Sequence, residues 1–443
     1  MVSKMYTKYC YRMVNIKNNK GFSLVELIVT MAIFVLVIAI TSDAFLIIQR
    51  HVSTQSRLAQ SNIDGVIGLE ILRSDLEAAG FGLFWNTPTD NNGNNINVTF
   101  LEADDNPPQN AYNSTSGAPR AVQSGDNVVL GDSSQQIDKT DYLVLRGTTL
   151  PHNAASQKWS YMTRQMAFAT ISSATPTSYP LRINTWSNNN FVAGDKVVVI
   201  TGTDNKDPLY HRKLITKGST TSDTTYFTQY SDSNLVDYQP PPPTTPPIPH
   251  GLTYDSSAYF IYGVDTNDGS TNADKLRMPY NRVDYYVRIP NAGVNKVPKR
   301  CAPNTGILFK SVVGHASGTQ TEYPLLDCVA DFQVVYTLDP ENNDKPVTRS
   351  ASGLRAPLSG TSDLTAEEIR NQLKNIQIYV LTHEGKKDTY YTYPKATIGV
   401  GPGNGETSAT GSTFDLSAAE MKNYRWKVYR ITIAPKNLLR SQK

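Results

Sequence analysis

From Phe22 to Ile40 the chain runs through nineteen residues with a single charged side chain, Glu26. That length is just sufficient for one helical crossing of a bilayer. The apolar pattern does not stop there. Phe45, Ile48, Val52, Ala59, Val66, Leu69, Leu72, Leu76 and Ala79 continue near a three-four spacing, with gaps at Gln55 and Asn62. No proline occurs between Phe22 and Trp85. The pattern predicts one helix from about Ser23 to Ala79, ended by Gly80 and Gly82. At 1.5 Å rise per residue it would be roughly 85 Å long. Gly65 and Gly68 would each weaken it by roughly 1 kcal/mol against alanine. Either a strand or helix approaches closely there, or the glycines are merely tolerated.

Beyond the helix the pattern becomes polar and loop-like from Asn86 to about Ser124, with Asn-Asn-Gly-Asn-Asn at 91–95 and Pro107-Pro108. Strand signals follow at Asn127–Leu130, Tyr142–Leu145, Met166–Ile171 and Lys196–Thr201, with a weaker one at Tyr226-Phe227. Gln239–Pro249 holds seven prolines and reads as a polyproline-type excursion. It is either a subdomain boundary or a long surface loop.

The later strands alternate more cleanly. Val283, Tyr285, Val287 and Ile289 share one face, with Arg282, Asp284 and Arg288 on the other. Phe332, Val334, Tyr336 and Leu338 repeat the alternation. Ile376, Ile378 and Val380 do so after a short helix at Ala366–Lys374, and Tyr429, Ile431 and Ile433 close the series. Period two with one polar face predicts antiparallel strands over one side of a core, with the long helix as the partner of that face. The fold class expected is α+β: a long N-terminal helix on a large antiparallel β-rich domain. The expected divisions are 1–21, a leader; 22–82, the helix, with an anchor in 22–40; 83–250, a β-rich insert with polar loops; and 251–443, the C-terminal β-rich part.

Charge changes the picture only after it is divided. The formal charge is +3, but residues 1–21 carry five basic side chains and no acid. The rest holds 37 basic against 39 acidic residues, a formal −2. The basic balance therefore gives no support to nucleic-acid binding. The basic cluster instead holds the N-terminus in the cytoplasm and sends the remainder outward. Of three cysteines, Cys10 lies in this leader, and Cys301 and Cys328 remain as an even pair in an exported chain. A disulfide is expected, worth roughly 3–4 kcal/mol on the chain-entropy model; the alternative is two separate buried thiols.

Enzyme signatures are missing. There is no HExxH, GxSxG or Walker sequence. Gly399–Ser412 lacks the lysine of a phosphate loop and reads as a loop between strands. His152, His211, His250, His315 and His383 are scattered and read as surface or loop residues. No cofactor is expected. A weak calcium candidate is Asp265, Asn267 and Asp274, whose loop lacks the glycine position and the terminal glutamate of an EF-hand. The 25 tyrosines fall mostly in strand-like runs and are expected to pack in the core or on sheet faces.

The segment Lys20-Gly21-Phe22, with Glu26 four residues later and an apolar helix behind it, resembles the class III signal of type IV pilins and type II secretion pseudopilins. The alternative is a plain signal anchor. Leu72–Phe81 is similar to the helix ending of PilW-type minor pilins and the related J-type pseudopilins. Leu325–Tyr336 and Tyr424–Asn437 look like their penultimate and closing strand regions.

The resemblance implies cleavage by a prepilin peptidase between Gly21 and Phe22 and methylation of the new Phe22 amine. It implies an assembly role for Glu26. A carboxylate in a bilayer costs roughly 2.5–3.5 kcal/mol on insertion scales. Pairing with the Phe22 ammonium of a neighbouring subunit would offset that cost. The implied partners are the peptidase, other minor pilins and the major pilin. The implied location is the inner membrane, with the large domain outside the cytoplasm, and then the pilus tip. Three functions follow: a minor pilin that starts or caps a fibre, a J-type pseudopilin of type II secretion, or a tip adhesin with Asn86–His250 as its contacting insert.

Overall fold

The computed structural model describes residues 21, 23–87, 98, 100–104, 108–114, 117–130, 137, 139–163, 183–202, 212–216, 226–231, 234–235, 258–266, 276–290, 296–341, 343–354, 363–405, 411–418 and 420–438. Two compact units are present, Met1–Ala59 and Gln60–Lys443. Helix α1, Leu24–Ala78, contributes to both. Its bounds follow the apolar period. It stops where Gly80 and Gly82 take positive φ, +82° and +69°, a conformation that side-chain-bearing residues rarely adopt.

The second unit is built on an eight-stranded antiparallel sheet. Its strands are β1 (Val122–Gly125), β2 (Tyr142–Gly147), β8 (Asn281–Arg288), β9 (Gly306–Val313), β10 (Gln320–Leu338), β12 (Leu373–Glu384) and β15 (Arg425–Ile433), in that spatial order, with β11 (Val347–Arg349) on β10. A five-stranded sheet has the order β3 (Trp159–Thr163), β7 (Ala258–Asp265), β4 (Lys196–Thr201), β5 (Phe227–Ser231) and β6 (Asn234–Leu235). A hairpin pairs β13 (Thr397–Val400) with β14 (Ser412–Asp415). The chain is therefore α+β. Strands from both sides of the proline-rich segment share sheets, since β2 pairs with β8 and β4 with β7.

The core lies between the last turns of α1 and one face of the large sheet. Leu69, Leu72 and Leu76 share a cluster with Leu143, Val283, Tyr285, Leu308, Phe332 and Ile378. A fully buried leucine is worth roughly 1.5–3 kcal/mol, so Leu72 and Leu76 alone hold this end of the helix firmly. Gly68 explains how the approach is so close. A Cβ there would overlap the carbonyl oxygen of Leu325 on β10, whereas at Gly65 the nearest atom is a leucine methyl, Leu326 Cδ1, at 3.3 Å. Close approach is the role of Gly68.

The opposite face of the sheet differs from the sequence expectation. It is buried rather than solvated. Tyr142, Val144, Tyr286, Ile307 and Phe309 form one cluster there, and Val335, Tyr379 and Leu381 pack against Ile398, Val400 and Leu416 of the β13–β14 hairpin. Period two reports which residues share a face; it does not report what covers the polar one. Gly399 and Val400 accordingly lie in a strand rather than a loop, with Val400 opposite Ser412. His315 and His383 are likewise core residues, not surface ones.

Other differences are local. Asn127–Leu130 is not a strand: Asn127 takes φ +52° and its N–H donates to the Asp141 carboxylate. Helix α2 runs Ala366–Gln372, opened by a capping box between Thr365 and Glu368, and ends early because Leu373 already belongs to β12. The expected strand Met166–Ile171 lies outside the described residues.

Candidate functional site

At the start of α1, Ser23 precedes the first helical residue and Glu26 occupies the third. The Ser23 N–H donates to Glu26 Oε2 at 3.2 Å, and Ser23 Oγ accepts from the Val25 N–H at 3.2 Å. Glu26 therefore has a local partner, which its apolar flanks conceal in the sequence: a serine before a helix and a glutamate three residues on make a reciprocal cap. Gly21 is exposed, and Phe22 lies outside the described residues. Further along, Thr30 Oγ donates to the Glu26 carbonyl at 2.9 Å and Thr41 Oγ to the Val37 carbonyl at 2.8 Å. Hydroxyls satisfied within the helix suit a segment with no water beside it. Leu24–Ser53 is long and apolar enough to cross a membrane, and its large apolar side chains are exposed.

At the other end, α1 is held on the sheet by a polar contact inside the core. Asp75 is fully buried, and its Oδ2 lies 2.5 Å from Lys310 Nζ on β9. The Tyr285 hydroxyl also donates to Asp75, and His152 Nε2 lies 2.9 Å from Asp75 Oδ1. Lys310 donates in addition to the Leu150 carbonyl at 2.8 Å. A buried carboxylate with three partners fixes the rotation and height of the helix on β8 and β9. Asn437 Nδ2 donates to the Glu77 carbonyl at 2.9 Å, so the segment after β15 also grips the helix end.

A larger ionic cluster lies on the opposite face of the sheet. Arg146 Nε and Nη2 both reach the Glu102 carboxylate at 2.8 Å, and Arg282 bridges Glu102 and Asp284 at 2.8 Å each. Burial alone would raise the Glu102 carboxyl, but Arg146 and Arg282 outweigh it and hold it below its ordinary value. Burial opposes the charge of Arg282, and Asp284 overcomes it, raising the guanidinium. The same arginines tie down irregular chain: Arg282 donates to the Gln109 carbonyl at 2.9 Å and to Asn113 Oδ1 at 2.7 Å, and Arg146 to the carbonyls of Tyr112 and Arg120. Nothing in the local sequence marks Glu102 as the centre of this network, because its partners lie on distant strands.

Cys301 and Cys328 are joined by a disulfide, with Cα atoms 4.9 Å apart. Cys328 has φ +59° and sits within the register shift between Leu326 and Val329 in β10. His383 lies beside the bridge, its Nε2 accepting the Ala302 N–H at 2.8 Å. Burial, with Arg300 nearby, pushes its imidazole down to about 4. Of the calcium candidate, Asp265 ends β7 and accepts a long contact from Asn153 Nδ2 at 3.5 Å, while Asn267 and Asp274 lie outside the described residues.

Comparison with known proteins adds one finding. Residues 16–42 match the prokaryotic N-terminal methylation motif. No curated protein and no solved structure matches the chain. The motif covers Gly21, Phe22 and Glu26 and runs into the exposed apolar helix, so the N-terminus of this chain is of the type IV prepilin kind, shared by pilins and pseudopilins.

Proposed function

We propose that this chain is a minor type IV pilin that helps to start or cap a fibre at its tip. A prepilin peptidase cuts between Gly21 and Phe22 and methylates the Phe22 amine. The chain waits in the inner membrane with the large unit outside the cytoplasm. The observation that carries this reading is Glu26: a carboxylate held in the first turn of a helix whose large apolar side chains are exposed from Leu24 to Val52. Among the described residues of the single chain, the carboxylate accepts from the Ser23 amide. Docking replaces that weak contact with the ammonium of a neighbour's Phe22, which is available only at the correct height. The partners are then other minor pilins and the major pilin.

Size favours the minor role. A unit running from Gln60 to Lys443 crowds a helical fibre on every rung but meets no subunit above it at the tip. The type II secretion pseudopilus remains the second reading, because the motif is common to both systems. Deleting the gene separates these. Loss of fibres supports initiation, and loss of secretion with intact fibres moves the chain to the pseudopilus. Normal fibres with normal secretion contradict both.

A further inference from the structure

The ionic cluster under the large sheet is an expensive way to hold loops. Removing charges from water costs several kcal/mol per ion, and hydrophobic packing often does as well. What this one achieves is local. It pins Gln109, Tyr112, Asn113 and Arg120 through their carbonyl oxygens or side chains. Of these, Asn113 and Arg120 belong to the wall of a cleft of about 560 Å³, which is bounded on the other side by the start of α2 and has Trp85 beside it. Its volume lies in the range of small-molecule sites.

The chemistry of the lining is specific. Arg370 lies over the Trp85 indole at 4.9 Å from the ring centre, and Arg212 lies 5.4 Å from the same ring. Arg120 Nη1 reaches Asp363 Oδ2 at 2.6 Å, joining two walls that are far apart in sequence. Ser114 and Glu367 add a hydroxyl and a second carboxylate. Arg212 is not part of the lining, and among the lining residues the guanidiniums of Arg120 and Arg370 balance the carboxylates of Asp363 and Glu367, so the cleft selects neither anions nor cations by charge. The indole is already covered by guanidiniums, and the planar forked groups and the hydroxyl match a ligand with adjacent hydroxyls.

We infer that this cleft is a binding site for a neutral saccharide, with Arg370 and Asp363 contacting its hydroxyls. The inference gives the tip reading a ligand class, but it is tested on the purified chain and does not depend on fibre assembly. A failure of either one is therefore seen separately.

The test uses the full chain in lauryldimethylamine oxide, a detergent without a sugar headgroup. Saturation-transfer NMR is recorded with galactose, N-acetylglucosamine and lactose, and with N-acetylneuraminic acid as the anionic comparison. At least one neutral sugar is expected to give transfer. Its affinity should fall about tenfold in Arg370→Ala and in Asp363→Asn, and stay unchanged in Trp159→Phe, whose ring lies in the other sheet. Glu367→Gln, at an exposed position, provides a variant with no folding burden and should weaken binding more modestly. Transfer from no neutral sugar, transfer from N-acetylneuraminic acid alone, or neutral binding undiminished in all three cleft variants overturns the inference.

Discussion

The Asp75 carboxylate on α1 lies 2.5 Å from the Lys310 ammonium on β9, and both side chains are buried. The pair couples the helix to the sheet at a fixed height. Under the proposed function this matters, since a slip of the helix on its domain would displace the docking residues.

Asp75→Asn should destabilise the folded chain by about 3–5 kcal/mol, because Lys310 is left charged and unpaired in the core. Asp75→Leu combined with Lys310→Met should recover most of the loss. Chemical denaturation of the single and double variants checks this. A double variant no more stable than Asp75→Asn would mean that the pair is not the source of the loss.

Gly68→Ala and Gly65→Ala should differ in sign of consequence although both add a methyl to the same helix. Alanine gains roughly 1 kcal/mol in helix propensity. At Gly68 that gain is outweighed by overlap with the Leu325 backbone, and a net loss of about 1–3 kcal/mol is expected. At Gly65 a leucine methyl gives way, and the change should be near neutral or stabilising. Melting temperatures of the two variants decide it.

The histidines predict a pH dependence. Burial holds His383 at about 4 and His315 at about 3, both below the unfolded value of 6.5. The unfolded chain thus binds more protons between pH 6.5 and 4. The stability these groups contribute is complete above 6.5 and is lost as pH falls through that window. Asp331, raised by burial to about 6, acts in the opposite sense: its contribution is present below 3.8 and fades as pH rises through 6. His383→Gln keeps an acceptor for the Ala302 N–H and should flatten the loss of stability between pH 6.5 and 4 by about 3 kcal/mol. Denaturation midpoints across that range measure it.

Much of this was legible in the sequence, and the remainder was hidden for physical reasons. The helix read correctly because apolar period, lack of proline and paired glycines agree over many turns. β4 read correctly as Lys196–Thr201 because Val197–Ile200 is a short apolar run bounded by polar residues. Arg282 and Asp284 were placed on the right face, but their burial was not visible, because Glu102 and Arg146 reach them from other elements. Glu26 stands out in the sequence as an isolated charge, while its contact with the Ser23 amide is a matter of helix-start geometry. His383 gave no local signal, since its neighbours Cys301 and Cys328 arrive from two other segments.

The assembly role of Glu26 is tested in cells. Cells lacking the chain are complemented with Glu26→Leu, and sheared fibres are counted and probed for the protein. Mass spectrometry of the N-terminus reports cleavage and methylation in parallel. The expected result is a cleaved and methylated Glu26→Leu chain that stays in the membrane, with fibre number as low as in the deletion. A Glu26→Leu chain that enters fibres and restores their number to wild-type levels would contradict it.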